Sequence, residues 1–270
     1  MKSKKSTKSV LTLTQLGVLS ALIILLTFVP NIGYISYGVL SITIIHIPVI
    51  IGAIVMGPKS GAILGAVWGI SCIVKAVLAP PSPLEGAIFW NPAVSLIPRV
   101  LAGFIAGAVF VIAAKADKIG KTAQTIAAVI AALLAGVAVT SAVSFAKQAQ
   151  WAGFAVALIG AVVFALIIAG CLYLVFAPKK QDAKGKKNNI PAGIAAIAGC
   201  ITNTIFVMGA IYIFHGGEFG QELGITVMSF GGFLKYVLAA FTINAVLEIV
   251  AAVIIAVPVS MALKKVKTRV

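Results

Sequence analysis

Apolar runs of helix length, separated by short polar or basic breaks, recur along the chain near 10–29, 39–56, 61–79, 93–114, 123–145, 152–177, 191–214 and 236–263. Each can cross a hydrocarbon layer about 30 Å thick. None shows the ten-residue alternation of a transmembrane barrel, and helices are the other structure that satisfies every backbone polar group in lipid. The pattern predicts an all-α integral membrane bundle of about eight transmembrane helices, forming a single membrane domain over 1–270. Composition agrees: 61% of residues are hydrophobic, 10% are charged and mean hydropathy is +1.14, whereas soluble domains are about a quarter charged.

Two of these runs, within Ser41–Gly69, organise the rest. They meet at a break of Gly57, Pro58, Lys59 and Ser60; the first carries His46 and Pro48, and the second opens with Gly61, Gly65 and Gly69. Small residues one turn apart share a helix face and let helices approach closely. The same spacing occurs at Gly103 and Gly107 in the fourth run, where packing within the bundle is the natural reading, and at Gly17 and Ala21 in the first, which could equally face a partner protein.

Charge fixes the orientation. With a cytoplasmic N-terminus, 17 of the 21 basic residues fall on the inside: the 1–9 tail, Lys59, the loops around 115–121 and 178–190, and the C-terminal segment. The positive-inside rule therefore places both termini in the cytoplasm of a multi-pass cell-membrane protein. The net charge of +15 is explained by topology and by attraction to anionic lipid headgroups, so no nucleic acid partner is needed. The first run lacks a small-residue cleavage site and reads as a retained span rather than a secretory signal. Cys72, Cys171 and Cys200 lie in apolar runs without metal or redox spacing and read as packing residues.

The outer segments differ in character. Residues 30–38 are uncharged and hold Tyr34 and Tyr37; residues 80–92 combine four prolines with Glu85, Phe89, Trp90 and Asn91; residues 215–235 are glycine-rich with Glu218 and Glu222. Aromatic residues here can cap an outward pocket or sit in the interfacial belt. Short turns would connect the helices equally well, which favours a functional role for the longer loops.

Polar groups inside spans cost free energy unless they are paired or face water. Arg99 lies about two turns below the outer end of the fourth span. It is a candidate to bind an anionic group bidentately, to pair with Glu248, or to snorkel outward. Lys75, one turn below the outer end of the third span, reads first as a snorkelling residue. His46, two turns into the second span, reads as a packing histidine ahead of a ligand or proton carrier. Thr202 and Asn203 are helix-helix hydrogen-bonders or pocket donors, and Asn244 shares a face with Glu248 on the last span. The sequence has no phosphate-binding loop, H-E-x-x-H, G-x-S-x-G or soluble domain, so ATP hydrolysis by that route and intramembrane hydrolysis are not expected, and no cofactor or metal is called for.

Ser41 through Gly52 with its His46 and Pro48, Gly57 through Gly65, and Asn91-Pro92 followed by Ile97-Pro98-Arg99 and Gly103 resemble the substrate-binding S component of energy-coupling factor (ECF) vitamin transporters. The similarity is to the riboflavin-transporter-like branch, nearest its pantothenate-type members. It covers roughly 10–114 well and 191–263 more loosely. The resemblance implies a non-enzymatic protein that captures a water-soluble vitamin from outside and joins a transmembrane coupling protein and two cytoplasmic ATPases, which power its toppling in the membrane. It also implies docking on the coupling protein through the first helix, at Gly17 and Ala21, and a gate formed by the first outer loop. The family core has six helices, so 122–178 reads as an inserted helix pair.

Substrate-binding candidates are Tyr34, Tyr37, His46, Lys75, Trp90, Asn91, Arg99, Asn203, Asn244 and Glu248. Positive charge at Arg99 and Lys75 favours an anion such as pantothenate; riboflavin would instead stack on Tyr34, Tyr37 and Trp90. A self-sufficient proton-coupled carrier using His46 and Glu248, and a non-transporting scaffold, are the competing classes.

Overall fold

The computed structural model describes residues 2–30, 32–37, 40–115, 189–222 and 247–265. The spans expected at 123–145 and 152–177, the 122–178 insertion they form, and Asn244 lie outside the described residues. In chain order the elements are α1 (Lys2–Phe28), β1 (Tyr34–Tyr37), β2 (Leu40–Thr43), α2 (His46–Met56), α3 (Pro58–Leu78), α4 (Pro83–Phe89), α5 (Pro92–Ser95), α6 (Ile97–Lys115) and α7 (Ile190–Glu222), followed by α8 (Leu247–Lys265). Among the described residues, Ser9–Phe28, Pro58–Leu78, Pro92–Ala114, Ile190–Gly217 and Leu247–Lys265 are long and apolar enough to cross a membrane. The chain is a multi-pass helical membrane protein. The basic segment at its start is helical from Lys2 and continuous with the first span.

The expected helical membrane bundle carries one short hairpin that was not expected, and the expected second span, 39–56, needs correction. A two-stranded antiparallel sheet joins β1 to β2, pairing Tyr34 with Thr43 and Tyr37 with Leu40, and α2 begins only at His46. Pro48 explains the late start. It has no N–H to give the carbonyl four residues back, so it fits among the first helical positions, whose donors have no intrahelical partner in any case. The β-branched run upstream pairs as strand instead. His46 is therefore at the start of its helix and not two turns into it.

Helix α2 is the centre of the bundle: every residue from His46 to Val55 is buried. A helix that is apolar all round belongs inside. Its side chains join Ala106 and Phe110 of α6, Ala192, Ala195, Ala196 and Cys200 of α7, and Ala252, Val253, Ala256 and Val257 of α8 in one core. On its other side Val49 joins Ile23 and Leu26 of α1 and Leu64, Trp68 and Cys72 of α3. Gly57, at φ 99°, makes the turn into α3 while its N–H caps the Ala53 carbonyl; glycine adopts this backbone conformation without a Cβ clash.

The glycine face of α3 packs on α6 as its spacing predicts. A Cβ on Gly61 would strike the Gly103 carbonyl, one on Gly103 the Gly61 carbonyl, one on Gly65 the Arg99 carbonyl, and one on Gly107 the Pro58 backbone. Gly17 has no heavy atom within 4 Å of such a Cβ, and both it and Ala21 are exposed on α1.

Candidate substrate-binding site

At the Gly65–Gly69 stretch of the α3–α6 seam the backbones are too close for any side chain between them, which sets the height of Arg99. Pro98 at the start of α6 costs no intrahelical hydrogen bond, and the next side chain packs on Trp68 in the middle of α3. Arg99 is 6% exposed. Its guanidinium carbon is 5.4 Å from the ring centre of Trp68 on α3 and 5.4 Å from that of Phe89 on α4. Both distances fall within cation–π range. One guanidinium nitrogen donates to the Val94 carbonyl of α5, and Nε has no hydrogen-bond partner among the described residues.

The segment expected as an extended Pro-rich loop forms two short helices over this arginine. Ser82 caps α4 by accepting the Glu85 N–H at 3.1 Å, and Asn91 caps α5 by accepting the Ala93 N–H at 2.9 Å. Proline follows both caps, in the favoured first-turn position. Ser95 Oγ donates to the Phe89 carbonyl, tying the two helices together. Asn91 Nδ2 lies 3.5 Å from His215 Nε2, where α7 kinks, while Ile88, Val94, Val207 and Ile211 close an apolar plug between the two segments.

A second polar group flanks the first. Tyr34 of β1 makes a 3.0 Å hydroxyl–thiol hydrogen bond with Cys72 Sγ, and its ring lies 4.3 Å under Lys75 Nζ. Lys75 donates at 2.9 Å to the Thr27 carbonyl, one of the unsatisfied carbonyls at the end of α1. A cation there also complements the helix dipole. Lys75 is therefore a helix cap stacked on Tyr34, which revises its reading as a snorkelling residue. Outside the spans, partial burial raises the Glu85 carboxyl above the ordinary carboxylate range, and the Lys75 charge opposes that rise.

The remaining candidates separate. Glu248 accepts the Thr43 N–H at 2.9 Å, and its backbone carbonyl lies 3.2 Å from His46 Nε2. The Arg99 hydrogen bond described above goes to Val94 and not to this carboxylate. Thr202 donates back to the Ala198 carbonyl of its own helix, which removes it as an interhelical donor. Asn203 is 7% exposed, with Oδ1 unpartnered among the described residues. It lies one turn beyond Gly199, which faces Ala102 and Ala106 of α6. Trp90 is 60% exposed, as an interfacial belt residue would be. Tyr37 is placed on β1 opposite Leu40.

Sequence reasoning overlooked Trp68, whose buried Nε1 lies near the Tyr34 hydroxyl but makes no hydrogen bond of full geometry among the described residues, and Thr43. Leu64, Trp68 and Cys72 recur at four-residue spacing on the buried side of α3, and that stripe was the available signal for Trp68.

The Arg99 group thus offers a buried cation, two aromatic faces and an unused N–H donor, suited to a carboxylate on a small organic molecule. Two similar proteins are a pantothenate transporter, PanT, of Leuconostoc mesenteroides, 37% identical over 94 residues covering 33% of this chain and 46% of its own length, and a pantothenic acid transporter, PanT, of Lactococcus lactis, 36% identical over 83 residues covering 26% and 42%. The match spans less than half the length of either relative. The family model "ECF transporter, substrate-specific component" matches residues 11–178, more than half of the sequence, and the chain belongs to that family.

Proposed function

We propose that the chain is the substrate-capture component of an ECF-type importer and binds pantothenate from the outer side. The observation that carries this is Arg99, a buried guanidinium held between Trp68 and Phe89 with an unused Nε donor. Desolvated and fixed in place, it is a strong receptor for a carboxylate. Two relatives named as pantothenate transporters support the same substrate. Asn203 Oδ1 and Trp68 Nε1 are further groups able to meet hydroxyl or amide atoms of a ligand. In this reading both termini are cytoplasmic, 122–178 is an insertion in a six-helix core, and delivery depends on two cytoplasmic ATPases and a transmembrane coupling protein, which docks on the Gly17–Ala21 face of α1.

Titration of purified protein with pantothenate and riboflavin, read by thermal shift and calorimetry, tests the substrate. Ligand that binds only the native state raises the melting temperature with the logarithm of its saturation. Tight pantothenate binding is the expected result. Tight riboflavin binding without pantothenate binding would overturn the assignment, and uptake into vesicles by this chain alone under a proton gradient would replace it with a secondary carrier.

A further inference from the structure

Residue Glu248 is among the few acids in an apolar helix, and its contacts differ from those of a ligand-binding group. It is 7% exposed, and its Oε1 accepts the Thr43 N–H. Thr43 is the residue of β2 paired with Tyr34 of β1. The neighbouring Ile44 N–H bonds back to the carbonyl of Gly33, the residue before β1. Ladder bonds alternate along an antiparallel pair, so the Thr43 N–H points away from β1, at the edge of the sheet. At 8% exposure that edge donor has little access to water, and an unpaired donor there is costly. The Glu248 carboxylate satisfies it.

The fixed strand pair has a consequence across the sheet. A pair without mutual ladder bonds brings its two residues closest together, so holding Thr43 also holds Tyr34, whose hydroxyl meets Cys72 and whose ring lies under Lys75. The Thr43 Oγ1 bonds to the Gly33 carbonyl and the Ile45 N–H stiffen the same joint, and the Glu248 backbone carbonyl lies against His46 Nε2.

We propose that Glu248 is a positioning residue that aims Tyr34 at the site through Thr43, and that it does not itself contact the vitamin. This rests on the pantothenate-binding function proposed above. It makes α8 part of the support of the outer hairpin, although α8 and the hairpin are about two hundred residues apart in sequence.

Alkylation of Cys72 in ligand-free protein, measured by peptide mass spectrometry, reports on the Tyr34 contact, and release of bound pantothenate reports on the site. Glu248→Met keeps the side chain's bulk but removes the acceptor, and should speed both by about tenfold, the scale of one lost hydrogen bond. Glu248→Gln keeps an acceptor oxygen and should restore both close to wild type. Tyr34→Phe removes the thiol contact directly, so adding Glu248→Met to it should speed alkylation no further, as expected of two residues acting through one contact. Unchanged alkylation in Glu248→Met, multiplicative effects in the double variant, or failure of glutamine to rescue would each overturn the proposal. If the methionine variant does not accumulate, Glu248→Asp, which withdraws the oxygen by one methylene, takes its place with the same criteria. A wild-type protein that binds no pantothenate refutes the substrate reading alone, and the alkylation comparison still decides the role of Glu248.

Discussion

Replacing Gly65 with alanine inserts one methyl group where α3 and α6 touch backbone to backbone. Its Cβ would overlap the Arg99 carbonyl and lie 3.0 Å from the Val100 Cα. Carbon contacts are most favourable at about 3.5–4.0 Å, so α6 must retreat by roughly 1 Å and weaken dispersion contacts along that stretch of the seam. Overpacking of this kind costs about 1–3 kcal/mol, while alanine's better helix propensity returns about 1 kcal/mol, leaving a net loss of about 0–2 kcal/mol and a stability about 1–3 kcal/mol below that of an alanine placed without overlap. The retreat also carries Arg99 away from Trp68, so pantothenate affinity should fall together with stability. Gly209→Ala is the matched control. Its Cβ meets no heavy atom within 4 Å, so it gains propensity without overlap and should melt at or above wild type. Thermal unfolding of the three proteins in the same detergent, with and without pantothenate, measures both effects. A Gly65→Ala protein as stable as Gly209→Ala, with undiminished ligand stabilisation, would refute the account of the seam.

Three further outcomes follow from the site. Arg99→Ala should weaken pantothenate binding by about ten- to a hundredfold, the range for a lost hydrogen bond to a charged group, and Arg99→Lys should not restore it because the planar fork is gone; an unchanged dissociation constant would remove Arg99 from the site. Burial raises the Glu85 carboxyl, so the folded protein binds that proton more tightly than the unfolded chain, and the associated stability is lost as pH rises through the folded value. Glu85→Gln should therefore raise the melting temperature at neutral pH, with the advantage shrinking below the ordinary glutamate range; an advantage independent of pH would contradict this. Gly17→Leu combined with Ala21→Leu adds bulk to an exposed face, so it should leave pantothenate binding intact and abolish uptake in cells supplied with the coupling protein and ATPases; normal uptake would exclude docking there.

The long apolar periods of α1, α3, α6 and α7 were legible because each is a local property of a continuous segment. The glycine spacing of α3 and α6 likewise announced their close contact before any partner was known. The hairpin was obscured because Ser41–Ile45 is as apolar as the helix after it, and only the backbone chemistry of Pro48 separates the two. Contacts between distant segments left no pattern to read. Lys75 finds the end of α1, and Glu248 finds an edge amide of β2; from the sequence the first reads as a snorkelling residue and the second as a candidate partner of Arg99, because neither true partner is near in the chain. Arg99 was identified from its cost in a span, but its aromatic neighbours come from two other helices.

The shortness of α2 also bears on how the protein enters a bilayer. Its eleven residues rise only about 16 Å, roughly half of the hydrocarbon thickness. A translocating machinery that sorts segments by length and hydrophobicity has no complete span to recognise there. Helix α3 follows after a single residue, Gly57, and has the full length that α2 lacks. The two must therefore insert as one helical hairpin. A residue at Gly57 that cannot make the turn would then act first during synthesis, by leaving α2 outside the membrane, before any effect on the finished fold could be measured.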